Sequence, residues 1–156
     1  DVCSSDLTKT VGNSAFMTWL VQLDPHSPIP TSEKLTKLLN SALDGEIDLQ
    51  GKIDERIRNF RSHSTNQSPE AVVTAKNDVA TQATVLEVRM HDRPGVVFNV
   101  ARTISRYSVD IRSAIVSTLG AEAFDTLYIT DFKGNPLSAE ESILLAQRVE
   151  NYLLTL

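Results

Sequence analysis

Thr84-Val85-Leu86-Glu87-Val88-Arg89-Met90-His91-Asp92-Arg93-Pro94-Gly95 is the stretch from which the rest of the chain is read. Thr84, Leu86, Val88 and Met90 alternate with Val85, Glu87, Arg89 and His91, the period of two expected for a strand with one buried face. Pro94 then fixes φ for a first helical turn. Val97, Val100, Ala101 and Ile104 follow at i, i+3, i+4 and i+7, which predicts a helix with one apolar face, ending near Tyr107-Ser108. Downstream, the β-branched residues Val109, Ile111, Ile115, Val116 and Thr118 predict a second strand. Leu119-Gly120-Ala121-Glu122 reads as a hairpin turn into a third strand from about Ala123 to Phe132. Lys133-Gly134-Asn135-Pro136 breaks that strand. Ser138 and Glu141 have capping-box spacing, opening a second helix with Leu145, Val149, Tyr152 and Leu156 along one side. A four-residue turn cannot carry a parallel crossover, so the second and third strands should be an antiparallel hairpin with both helices on one sheet face. The order βαββα predicts an α+β, ferredoxin-like fold that lacks its usual fourth strand.

Sliding the chain along itself by 108 residues pairs Gly12 with Gly120, Ala15 with Ala123, Phe16 with Phe124, Thr18 with Thr126, Pro28 with Pro136 and Glu33 with Glu141. Apolar positions agree too: Val11, Trp19, Leu20, Val21 and Ile29 fall opposite Leu119, Leu127, Tyr128, Ile129 and Leu137. The reading is of one complete unit at 83–156, preceded at 8–60 by the C-terminal half of a first copy plus a helix. Between them, 61–82 is a linker, polar from Arg61 to Pro69, with a strand-like run Ala71 to Asn77 able to supply the fourth strand to either copy. Val2-Cys3-Ser4-Ser5-Asp6-Leu7 resembles a translated sequencing-adapter remnant, so 1–7 is expected to be a non-native leader and is set aside from the fold. The chain opens on Asp1 rather than Met, which fits a fragment.

Composition narrows the function. The 156 residues carry a net charge of −5 with acids and bases scattered, so no basic stripe points to nucleic acid. No apolar run approaches the roughly 20 residues that span a bilayer, and no signal pattern opens the chain, so a cytoplasmic protein without membrane contact is expected. The single Cys3 supports neither a disulfide nor a zinc site. His91-Asp92 spells a phosphohydrolase dipeptide, but His26 and His63 lie in loop-like sequence. Asp44, Glu46 and Asp48 cluster without the Gly-Ser segment a nucleotidyltransferase needs, and read as a solvated helix end. Phe16 and Trp19 read as core of an alternating strand in preference to a ligand-stacking role. Arg56, Arg58 and Arg61 read as the wet side of a helix whose other side carries Ile53, Ile57 and Phe60. No catalytic or metal-binding residues are expected.

The chemistry concentrates at His91-Asp92-Arg93-Pro94-Gly95, where the first strand meets the first helix. Unpaired N–H groups and the positive end of the helix dipole favour a carboxylate there. Gly95 leaves room for close approach, and Asp92 is placed either to cap the helix or to accept from an ammonium group, so the loop suits a zwitterion. The plainer alternative is that Pro-Gly starts a helix and Asp92 caps it. The segment His91 to Gly95 followed by Val96-Val97 resembles the loop of ACT domains, amino-acid-sensing modules, and the resemblance covers the whole second copy. It is closer still to the tandem ACT units of the bifunctional PII uridylyltransferase/uridylyl-removing enzymes, through Val85 to Gly95, Val109-Asp110-Ile111-Arg112-Ser113-Ala114 and Ser117-Thr118-Leu119-Gly120-Ala121-Glu122-Ala123.

That resemblance implies the glutamine-reading part of a nitrogen sensor. The parent's catalytic domains, with Mg²⁺, would add UMP to the PII protein and remove it by hydrolysis. It also implies ligand-binding roles for Asp92, Arg93, Pro94, Gly95, Val96 and Asn99. Ile111, Arg112, Ser113, Ala114 and Ile115 would face another ACT unit. The first copy lacks the corresponding loop, so the resemblance does not extend to a pocket built jointly by two such loops. The alternative function is a non-sensing pairing module of another metabolic enzyme.

Overall fold

The computed structural model describes residues 3–11, 14–21, 28–59, 71–77, 80 and 82–155. The elements are β1 (Cys3–Val11), β2 (Ser14–Val21), α1 (Ser32–Leu43), α2 (Leu49–Asn59), β3 (Val72–Lys76), β4 (Thr84–His91), α3 (Val96–Ile104), β5 (Val109–Leu119), β6 (Glu122–Asp131) and α4 (Ala139–Leu154). The strands form one six-stranded sheet in the order β2-β1-β5-β6-β4-β3, every pair antiparallel.

From β4 to α4 the expected βαββα order is present, and the fold is the expected α+β, ferredoxin-like arrangement. The turn between β5 and β6 is Gly120-Ala121, with Gly120 at φ 65°, a left-handed conformation that glycine adopts without the clash a Cβ would cause. α4 opens with the reciprocal capping box of Ser138 and Glu141. Leu86 and Val88 of β4, Val100 and Ile104 of α3, Ile129 of β6 and Val149 of α4 meet in the core, each 2% exposed or less.

The buried side of α3 is not quite the expected one. Val96, Asn99, Val100, Thr103 and Ile104 are buried, whereas Val97 and Ala101 are half-buried. Two polar residues fit inside because the helix backbone satisfies them: Asn99 Nδ2 donates to Gly95 O at 2.9 Å and the Thr103 hydroxyl donates to Asn99 O at 2.8 Å. On α4, Ser142, Leu145, Ala146, Val149 and Leu153 are buried and Tyr152 is half-buried; Leu156 lies outside the described residues.

β3 takes the place of the fourth strand. It pairs with β4, Val73 opposite Val88, so β5-β6-β4-β3 is a four-stranded ferredoxin-like sheet whose edge strand comes from before the unit. Side chains clip it to α4. The Thr84 hydroxyl donates to Asn77 Oδ1 at 2.6 Å and accepts from the Leu137 N–H at 2.9 Å, while Asn77 Nδ2 donates to Leu137 O at 3.2 Å. Glu150 accepts the N–H of Val73 at 2.8 Å, and its carboxylate covers a donor of the edge.

Residues Cys3 to Leu7, which the sequence reading set aside, belong to β1, which pairs with β2 on one side and β5 on the other. A ladder is made by backbone groups, so a run with few apolar side chains can still be a strand when both neighbours offer partners. The two hairpins share a register: Val11 faces Ser14 as Leu119 faces Glu122, and each has a bulge, between Cys3 and Ser5 and between Ile111 and Ser113.

Phe16, Trp19 and Leu20 on β2 are 62, 47 and 62% exposed, not core residues. Alternation identified the strand but not whether a layer covers it. α1 likewise leaves Leu35, Leu38, Leu39 and Leu43 exposed. Arg56 and Arg58 are exposed on α2 while Ile53 and Ile57 are half-buried. Asp44 ends α1, and Asp48 Oδ1 accepts the Gly51 N–H at 2.9 Å in the first turn of α2. His26, Phe60, Arg61, His63 and the linker to Pro69 lie outside the described residues.

Candidate ligand-binding site

β4 ends at His91, and the chain turns through Asp92 to Gly95 into α3. The turn is fixed at its root by the Asp92 N–H, which donates to Ala121 O in the β5–β6 turn at 2.8 Å. Gly95 is the N-cap of α3 at φ 88°, a conformation costly for residues with a side chain. No side chain caps this helix; Asp92 Oδ2 instead accepts from the Thr118 hydroxyl of β5 at 3.4 Å.

A cavity of about 430 Å³ opens beside this turn, lined by Asp92, Arg93 and Gly95, by Val96, Val97 and Phe98 of α3, and by Val116 and Thr118 of β5. Ala123 and Asp125 of β6, Trp19 of β2 and Ile53 of α2 complete it. The space Gly95 leaves open is taken by α2: a Cβ there would meet Ile53 Cγ2 at 2.6 Å, Asn99 Nδ2 at 3.2 Å and Ile57 Cδ1 at 3.7 Å. Arg102 Nη1 donates to Gln50 Oε1, a second tie between α3 and α2.

Of the residues singled out from the sequence, Asp92, Arg93, Gly95 and Val96 line the cavity and Pro94 and Asn99 do not. Asn99 is 1% exposed, with its amide donating to Gly95 O and its Oδ1 accepting from the Tyr152 hydroxyl at 3.4 Å. Arg93 Nη2 donates to Leu153 O at 2.9 Å, and burial lowers its pKa from the ordinary arginine value. Ser113, Ala114 and Ile115 stand opposite Lys9, Thr8 and Leu7 of β1. Ile111 and Arg112 lie beyond that paired register, at the bulge, with Arg112 in an exposed ion pair with Asp110 at 3.0 Å.

Sequence reasoning missed Asp125. It is 3% exposed on the helix-covered side of β6, in the series Ala123, Asp125, Leu127, Ile129. Neither carboxylate oxygen has a hydrogen-bond partner among the described residues. Burial, with the nearby Asp92 adding to it, pushes its pKa up to about 7. An acid at an inward position of an otherwise apolar alternation was the available signal. Nothing in the sequence joined Trp19 and Ile53 to this turn, because they come from elements far apart in the chain.

Among the described residues no group of three His, Cys, Asp or Glu is placed to hold a metal ion. No helix of the described residues is long and apolar enough to cross a membrane.

Comparison with known proteins matches residues 84–141 to the ACT domain. The chain is 34% identical over 144 residues to the bifunctional uridylyltransferase/uridylyl-removing enzyme of Streptomyces coelicolor, covering 92% of this chain and 17% of that protein. It is 30% identical over 128 residues to the protein of the same name from Gluconobacter oxydans, covering 79% of this chain and 13% of the relative. No solved structure matches. The chain therefore spans only a small part of the relatives' length. Across most of its own length it is related to the bifunctional uridylyltransferase/uridylyl-removing enzymes, and its residues 84–141 are an ACT domain.

Proposed function

We propose that this chain is the amino-acid-sensing part of a cytoplasmic uridylyltransferase/uridylyl-removing enzyme, and that its ligand is glutamine. The observation that carries the proposal is the cavity beside the β4–α3 turn, where a helix N-terminus, two acids and an apolar wall surround a space of about 430 Å³. First-turn N–H groups of α3 suit the ligand's carboxylate, and Asp92 and Asp125 suit its ammonium group. On this reading the parent's catalytic domains uridylylate and deuridylylate the PII protein with Mg²⁺, and ligand bound here biases which reaction runs.

The reading includes a first ACT unit, to which β1, β2 and α1 belong. Two observations support it: the shared hairpin register and bulge, and the exposed apolar side chains of β2 and α1, which suit a covering layer supplied by the parent. The β1–β5 ladder would then be the contact between the units.

A melting scan of the 156-residue chain against the twenty amino acids tests the proposal. A ligand that binds only the folded state adds about 2.7 kcal/mol of stability at a hundredfold excess over Kd. Glutamine should produce that gain. No shift with any amino acid would leave a pairing module that ignores ligands.

A further inference from the structure

Among the described residues, Asp125 and Thr130 on β6 bury side-chain oxygens that have no hydrogen-bond partner, and of the two only Asp125 is an acid. Its neighbours across the ladders are Val116 on β5 and Val88 on β4, neither of which has a side-chain donor. A buried acid with both oxygens unpartnered is destabilising, and an aliphatic residue would suit the alternation of β6 better. The residue nevertheless lines the same cavity as Asp92. On the same cavity the Thr118 hydroxyl donates to Asp92 and Arg93 Nη2 donates to Leu153 O, so neither of these donors is given to Asp125. Asp125 has no donor among the described residues, and an entering ligand can bring one.

We infer that Asp125 is the specificity-determining residue of this cavity, its carboxylate accepting hydrogen bonds from a protonated primary amine of the ligand while Asp92 offers a second acceptor. An ammonium group has three N–H donors and no acceptor, so it can serve two carboxylates at once. A methyl group has no donor and a hydroxyl only one, so neither can. The inference rests on reading the cavity as an amino-acid site, where the amine is the α-ammonium group. It adds that recognition of this amine runs through β6 as well as through the β4–α3 turn.

The test measures melting temperature and affinity of the 156-residue chain and its Asp125→Asn variant. The probes are L-glutamine, 4-carbamoylbutanoate, which is glutamine without its amine, and butylammonium chloride. Glutamine should bind the unsubstituted chain at least tenfold more tightly than 4-carbamoylbutanoate, and Asp125→Asn should remove most of that preference. Binding of 4-carbamoylbutanoate within twofold of glutamine overturns the inference even if the variant does not fold, and leaves the amino-acid reading intact. An undiminished preference in a folded Asp125→Asn variant overturns it equally. If no amino acid binds but butylammonium stabilises the unsubstituted chain and not the variant, amine recognition by Asp125 stands and the amino-acid reading falls. If no probe binds, both fall.

Discussion

Leu7 and Ile115 lie directly opposite one another in the antiparallel β1–β5 ladder, and they are 108 residues apart in sequence (115 − 7). That separation is also the offset at which the chain matches itself. The ladder is therefore symmetric about this pair: Asp6 faces Val116 as Thr8 faces Ala114, and each pair maps onto the other when the offset is applied. Contacts of this self-complementary kind are what a two-fold relation between two copies of a unit produces. The β5 edge, which would otherwise present unpaired N–H and C=O groups, is covered within the same chain.

Cross-linking tests the register. Directly opposed residues in an antiparallel pair have Cβ atoms about 4.5–5.5 Å apart, within reach of a disulfide after small adjustments. With Cys3 replaced by serine, Leu7→Cys and Ile115→Cys should form an intramolecular disulfide under mild oxidation, seen as a mobility shift on non-reducing gels. Leu7→Cys with Ser113→Cys should not, and a preference for that second pair would mean a register slipped by two residues.

Asp125 should give stability an unusual pH dependence. Below about pH 4 the group is protonated in both folded and unfolded chains. As pH rises, the unfolded chain releases this proton first, while the folded chain holds it until about pH 7. Its contribution to stability therefore falls across that window and levels off above it. Asp125→Asn removes the change. At 1.36 kcal/mol per pKa unit, the variant's stability relative to the unsubstituted chain should rise by up to about 4 kcal/mol from pH 4 to pH 8. Urea unfolding at several pH values checks this, and a difference that stays flat contradicts the account of Asp125.

Gly95 couples the ligand turn to α2. Gly95→Ala must hold a left-handed conformation, at a cost of about 1–2 kcal/mol, and its methyl group would push on Ile53. A lower melting temperature should be accompanied by faster amide exchange across Leu49–Asn59. Destabilisation that leaves exchange in α2 unchanged would show that the helix does not pack on the turn.

Thr84→Val leaves the buried Leu137 N–H without its acceptor and Asn77 Oδ1 without its donor. A loss of about 1–3 kcal/mol is expected by urea unfolding, with Thr84→Ser close to the unsubstituted chain because it keeps the hydroxyl. Equal losses from both would assign the effect to packing.

The unit from Thr84 to Leu154 was legible because local signals agreed there. Alternation marked β4, the Gly120 turn dictated a hairpin, and Ser138 with Glu141 announced α4. β1 was not legible. Cys3 to Leu7 carry little strand pattern, and their place comes from ladders with β2 and β5, the latter more than a hundred residues away. Trp19 misled for the opposite reason: its alternation marked a strand, but the cover over a strand is decided by other elements. Four of the six expected ligand residues line the cavity because a strand-to-helix turn is a local motif. Asn99, one turn into α3, turns back to the helix backbone and Tyr152, a partner 53 residues away.

Trp19 is the only tryptophan in the chain, and it lines the cavity at 47% exposure, so its fluorescence reports directly on an amino acid entering beside Asp92 and Asp125. Titration of the 156-residue chain with L-glutamine should give a saturable change in Trp19 emission. The midpoint should match that of the rise in melting temperature. Stabilisation by glutamine with no change in Trp19 emission would place the ligand elsewhere, and no response of either kind would contradict the sensing account itself.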